Sequence, residues 1–350
     1  MKASSYNKFL IISFIVIALP LSFFVFWLEP YTGDLARIGG FKENEYGWNS
    51  FQKRFKKCHY TLGASIKDYN KHFDIVTIGD SFSVNEAQSW QNYLALSSNA
   101  SIITFHRRSV SASSILKHPQ FIESPPKLFI SQVVEHGIQT ALHDIELDLA
   151  QENNVIDPPK AQLNFRAVKF DNYLESYSRE RATGFSMDTA LHYIKTNIKQ
   201  GLGSRKKSFP IKVEDKEGLF SNKHPDSALF YHLDKLKLSI NKNEWGIIEK
   251  RFSILQNLIQ ANGFTNFIAM IAPDKSTVYR NYLLNPEVRF ESSHNFMPKK
   301  NSVNWLNIEQ FMVNSFEKGA IDLYLPNDIH WGSEGYKVAA EAVISNLKIP

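Results

Sequence analysis

Residues 74–83 read Asp-Ile-Val-Thr-Ile-Gly-Asp-Ser-Phe-Ser. The run from Ile75 to Ile78 is β-branched throughout and lacks the polar–apolar alternation of a half-exposed strand, so it reads as a strand covered on both faces. Such a strand requires helices on either side, which points to an α/β domain built on a parallel sheet. The strand ends at Gly79-Asp80-Ser81, where Gly79 permits a tight exit. Ser81 then stands at the carboxyl edge of the sheet, the side on which doubly wound folds bind ligands.

The rest of the chain alternates to match. Strands are expected over 73–78, 101–105, 127–134 and 266–271, and helices over 86–97, 244–261 and 335–347. In the second helix Trp245, Ile248, Phe252, Leu255 and Ile259 fall on one face, and Asn262-Gly263 closes it. Between about 151 and 243 the pattern weakens around Pro158-Pro159, Gly201-Leu202-Gly203 and an aromatic-rich stretch, which reads as an insertion or lid on a 70–350 domain. Hydrophobic residues are 43% and charged residues 21% of the 350, enough apolar material for a packed core.

Residues 9–28 carry no charge and are long enough to span a bilayer as a helix. Lys2 and Lys8 precede them while Glu29 and Asp34 follow, so the lysine bias puts the N-terminus in the cytoplasm and the remainder outside. No Ala-x-Ala-like cleavage site follows, which favours an uncleaved single-pass anchor over a signal peptide. Residues 29–69 read as a loop-rich, membrane-proximal segment. The lone Cys58 cannot form an internal disulfide. Net charge is +5, with basic clusters at 53–57, 205–207 and 299–300, each read as solvated lysines and arginines; nucleic acid is not an expected partner of an exported chain.

Asp328-Ile329-His330 lies near the far end. A serine hydroxyl becomes a nucleophile when a base takes its proton, and the base needs an orienting partner. Ser81, His330 and Asp328 supply those three roles, with the Ser81 backbone N–H as oxyanion donor. His136 is a competing base without an Asp-x-His arrangement. The scattered histidines show no metal-ligand spacing, and neither a metal nor a cofactor is expected.

The Gly79-Asp80-Ser81-Phe82-Ser83 and Asp328-Ile329-His330-Trp331 motifs, with Pro273-Asp274-Lys275 and Tyr279 between them, make the chain resemble the SGNH (GDSL-type) hydrolase superfamily. It looks most like the SGNH-like polysaccharide O-acetyltransferases of the alginate O-acetylation type. Two departures stand out: the Asp-x-His spacing is that of the acetyltransferases, while the motif order is that of the ordinary hydrolases. The hydrolases' glycine and asparagine blocks are replaced by a stretch containing Ser109 and by Val134-Glu135-His136-Gly137. The resemblance implies an SGNH-like (flavodoxin-like) three-layer fold and an acyl-Ser81 intermediate. It also implies transfer to an exported or cell-envelope polysaccharide, and a multipass membrane O-acyltransferase partner that delivers the acyl group. Ser109 is then a second candidate oxyanion donor, and Glu135, Lys275, Tyr279 and Trp331 are candidate substrate contacts. An esterase with the same triad, or a non-catalytic glycan-binding or scaffold protein on the same frame, are the alternatives.

Overall fold

The structure, a computed structural model, describes residues 3–139, 161–179, 187–214, 218–284, 295 and 303–348. Ten strands are named in chain order: β1 Gln52–Phe55, β2 Thr61–Gly63, β3 Ile75–Gly79, β4 Ile102–His106, β5 Leu128–Val134, β6 Leu174–Tyr177, β7 Ser208–Lys212, β8 Ser227–Tyr231, β9 Asn266–Ala272 and β10 Trp305–Asn307. Six of them form one sheet in the order β10-β9-β5-β3-β4-β2, and every pairing in it is parallel.

The four strands expected from sequence are the four central ones. Their residues are buried on both faces, as a parallel sheet requires. Ile75, Ile130 and Met270 face one layer with Trp90, Leu94 and Val343. Val76, Phe129 and Phe267 face the other with Ile115, Trp245 and Phe252. The sheet is therefore the middle of three layers. Each large apolar side chain so enclosed contributes about 1.5–3 kcal/mol. The edge strands β2 and β10, three residues each, are too short to show a periodicity and were not expected.

Helix ends follow local capping. Asn241 accepts from the N–H groups of Asn243 and Glu244, and the Glu244 carboxylate accepts from Asn241 N–H, which starts the Lys242–Gln260 helix with a reciprocal box. The helix expected from residue 86 begins instead at Trp90, because Ser89 caps the Trp90–Ser98 helix through Gln91 N–H. Only a short 3-10 turn, Ser81–Ser83, follows the serine.

Pairing places the 161–243 part of the expected insertion. β6 runs antiparallel to β1, and β7 and β8 form an antiparallel hairpin. Leu229 of β8 is buried with Leu35 and Ala36 from the Asp34–Gly39 helix of the loop-rich segment. Ile211, Val213, Phe220 and Phe230 of these parts are buried in the main core; residues 151–160, 180–186 and 215–217 of the expected insertion lie outside the described residues, as does the 299–300 cluster.

The N-terminal helix spans Ala3–Trp27, and most of its large apolar side chains from Phe9 to Leu19 are exposed. Among the described residues no helix is long and apolar enough to cross a membrane. The side chains of 20–27, which the sequence reading counts within the span, lie outside that description.

Candidate functional site

β3 lies between β4 and β5. The chain leaves β3 toward β4 on one side and leaves β5 toward β9 on the other, so the strand order reverses between them. That is the topological switch point, where a crevice opens at the carboxyl ends. Ser81 follows β3 at this edge, and Glu135 and His136 follow β5.

The Gly79-Asp80-Ser81 turn is held by half-buried polar contacts around Asp80 and a buried one at Ser83. Asp80 N–H donates to Gln132 Oε1 at 3.0 Å, and the Asp80 carboxylate accepts from Phe82 N–H at 3.0 Å and from Val134 N–H at 2.5 Å. Ser83 Oγ donates to the same Gln132 oxygen at 2.8 Å. A Cβ on Gly79 would lie 2.5 Å from Ser83 Oγ and 2.6 Å from Gln132 Oε1, so glycine is required here for space. Among the described residues the Ser81 N–H takes no partner from the chain, and the Ser81 side chain is exposed.

Asp328 and His330 form a dyad. His330 Nδ1 lies 2.7 Å from Asp328 Oδ1, which also accepts the His330 backbone N–H at 2.9 Å. Asp34 N–H donates to the other carboxylate oxygen at 3.0 Å. Burial pushes the Asp328 carboxyl up, but the His330 charge and these hydrogen bonds outweigh it and hold the group at about 2. Burial pushes His330 down, and Asp328, then Asp34 and Asp80, more than reverse that, so the imidazole sits above its ordinary value. With Nδ1 engaged, Nε2 is the atom available to a nucleophile.

Ser81, Asp328, His330 and Trp331 line one cleft of about 540 Å³. The Phe82 ring packs between the two loops, 5.0 Å from the His330 ring and 4.8 Å from Trp331. No hydrogen bond joins Ser81 Oγ to His330, a contact that commonly tightens only when substrate is bound. A larger groove, about 1030 Å³, lies between β1 and the Ser333–Lys348 helix and reaches none of Ser81, Asp328 or His330.

The remaining candidates are placed differently. Ser109 N–H donates to His106 O at 2.8 Å and the residue does not line the cleft, so its backbone is not an oxyanion donor. Glu135 is fully buried and accepts from Asp274 N–H at 2.9 Å and from the Thr277 hydroxyl. Lys275 and Tyr279 are buried in the core and do not line the cleft; burial draws Lys275 down to about 7, against Asp328, Asp234 and Asp322, and pushes the Tyr279 phenol far up. Glu135, Lys275 and Tyr279 are therefore not substrate contacts in this arrangement.

Arg54, Asn85, Gln88, Tyr177 and Arg179, none of them expected from sequence as site residues, also line the cleft. The β1–β6 pairing brings Arg54 and Tyr177 there, with Arg54 against Glu175 at 2.7 Å and 5.3 Å from the Tyr177 ring. Arg179 Nη1 donates to Glu29 at 2.6 Å. Arg54 sits in a cluster read as solvated, and no local signal separates it from its neighbours.

His136 is a second paired imidazole, with Nδ1 2.5 Å from Asp274 and 3.9 Å from Asp234. Burial lowers it, but the two carboxylates prevail and hold it at about 9. Two groups, Asp34/Asp328/His330 and His136/Asp234/Asp274, bring ligand atoms within 4.8 Å of one another. In each, an imidazole–carboxylate pair accounts for the closest contact. No family model, curated protein or solved structure matches the chain.

Proposed function

We propose that this chain is a serine O-acyltransferase working through an acyl-Ser81 intermediate. The observation that carries the reading is the cleft at the switch point of the parallel sheet, lined together by Ser81 and by the hydrogen-bonded Asp328–His330 pair. Ser81 Oγ attacks the acyl carbonyl carbon while His330 Nε2 takes its proton. The tetrahedral oxyanion is met by the Ser81 N–H, with the Asn85 amide of the same cleft as second donor. Collapse breaks the donor's ester bond, and the leaving alkoxide receives the proton from His330. An acceptor hydroxyl then attacks the acyl-serine by the same steps in reverse. Asp328 keeps Nδ1 protonated and balances the imidazolium.

The acceptor we propose is an exported or cell-envelope polysaccharide, with the acyl group an acetyl. An extracytoplasmic domain has no acetyl-CoA, so a multipass membrane O-acyltransferase would supply the acyl group. The exposed apolar side chains from Phe9 to Leu19 of the N-terminal helix support a membrane attachment at the inner membrane, with the domain in the periplasm. Hydrolysis is the second reading: the exposure of Ser81 favours it, because water reaches the acyl-enzyme unless the acceptor excludes it.

Intact-mass spectrometry of the full chain after exposure to an activated acetyl ester tests the core of the reading. One acetyl adduct that is absent from Ser81→Ala is expected. An adduct that persists in that variant, or none on folded wild type, sinks it. Acetylated oligosaccharide as product then separates transfer from hydrolysis.

A further inference from the structure

The carboxyl ends of the strands are clasped to one another in series. Asp80 ties the serine turn to β5 through Val134 N–H. Glu135, just beyond β5, ties to the segment after β9 through Asp274 N–H and the Thr277 hydroxyl. Lys275 comes next, and its Nζ donates to Leu325 O at 2.7 Å, Pro326 O at 3.3 Å and Leu229 O at 2.9 Å. Leu325 and Pro326 open the turn that presents Asp328 and His330.

We propose that Lys275 is the positioning residue of this site: its ammonium clasps the 325–326 turn against β8 and so sets where Asp328 and His330 stand opposite Ser81. In its protonated form the Lys275 amine has three donors and no acceptor, and here it meets three carbonyls. Two of those carbonyls also serve the local frame. Leu325 O accepts Asp328 N–H at 3.1 Å, and Pro326 O accepts Leu229 N–H at 2.9 Å. The same turn closes on itself through Leu325 N–H to His330 O at 3.3 Å. A shift of the ammonium therefore moves both members of the dyad together.

The surroundings keep the clasp dry. Nζ lies 5.9 Å from the Phe220 ring centroid and 5.7 Å from that of Phe230, and the side chain is 3% exposed. Asp328, Asp234 and Asp322 are the carboxylates whose charge reaches it. Burying an ammonium is costly, and an apolar side chain of similar length fills such a space without that cost. What methionine would lack is the means of holding three carbonyls in fixed directions.

The kinetic part of the test rests on the acyl-transfer reading; the geometric part does not. The purified full chain would be compared with Lys275→Met, Lys275→Gln and Lys275→Arg. The first readout is the low-field proton resonance of His330 Nδ1–H, assigned by its loss in His330→Ala. It is expected to survive in Lys275→Arg, to shift and broaden in Lys275→Gln, and to vanish in Lys275→Met. The second is ester turnover, where kcat of Lys275→Met should fall on the order of 100-fold while KM changes less than about threefold, the signature of a misplaced group. If Lys275→Met does not fold, Lys275→Gln carries the test, since an amide leaves at least one carbonyl unmet. An unmoved His330 resonance in either folded variant overturns the proposal. If the wild type turns over no ester, the acyl-transfer reading fails while the resonance still decides on Lys275.

Discussion

The Asp80 carboxylate accepts the Val134 N–H at 2.5 Å and the Phe82 N–H at 3.0 Å, so one side chain joins the serine turn to the end of the neighbouring strand. Both donors are backbone groups at the carboxyl edge of the sheet, and hydrogen bonds to a charged acceptor contribute more than neutral ones. Asp80→Ala should cost about 2–3 kcal/mol in urea unfolding and depress ester turnover further, while Asp80→Asn, which keeps one acceptor, should lose less. Equal stability of Asp80→Ala and wild type would show that the turn stands without this brace.

Asp328→Asn should leave the fold intact and lower turnover by on the order of 10³–10⁴-fold, because an amide at this position favours the wrong imidazole tautomer. Circular dichroism and steady-state rates with a chromogenic acetyl ester check the two halves separately. A loss below tenfold would remove Asp328 from the mechanism.

In the proposed mechanism His330 serves as base only when neutral, and its partners hold its pKa above the ordinary histidine value. The acidic limb of the pH–rate profile should therefore have its midpoint above about 6.5. The Asp34→Ala variant, with one neighbouring carboxylate removed, should move that midpoint down.

His136 makes a stability prediction of definite sign. Its folded value is about 9 against an ordinary value of about 6.5, so the folded state binds the proton more tightly. The resulting stabilisation is fully present below about pH 6.5 and is lost as pH rises through about 9, amounting to about 3 kcal/mol at most. The unfolding free energy of wild type relative to Asp274→Asn, taken from urea melts between pH 6 and 10, should fall by about that amount, because Lys275 titrates in both proteins and cancels in the difference.

Gly79→Ala should destabilise the domain by about 1–3 kcal/mol, since the new methyl meets Ser83 and Gln132 inside van der Waals contact. Thermal melts, and acylation of Ser81 by mass, would report the loss of stability and the displaced turn together.

The four central strands and the long Lys242–Gln260 and Ser333–Lys348 helices were legible because their signals are local: β-branched runs buried on both faces, a 3.6-residue stripe and terminal caps. The edge strands β2 and β10 were not, since three residues hold no period. The helix expected from residue 86 starts at Trp90 because Ser89, three residues after the expected start, takes the capping role.

The dyad was equally readable. Asp328 and His330 are two residues apart, so their hydrogen bond is a property of one turn. The meaning of Glu135, Lys275 and Tyr279 was not: each has a polar group suited to a substrate, and only the fold turns it inward. Asp34 caps the Asp328 carboxylate from 294 residues away, and Arg54 and Tyr177 reach the cleft through an antiparallel pairing of β1 with β6. The sequence by itself determined which segments became buried parallel strands and long helices, and which short motif set an imidazole beside a carboxylate, because those depend on neighbours along the chain. Tertiary structure alone decided which charged groups line the cleft and which brace it from within, because burial and long-range pairing are set by how distant segments pack.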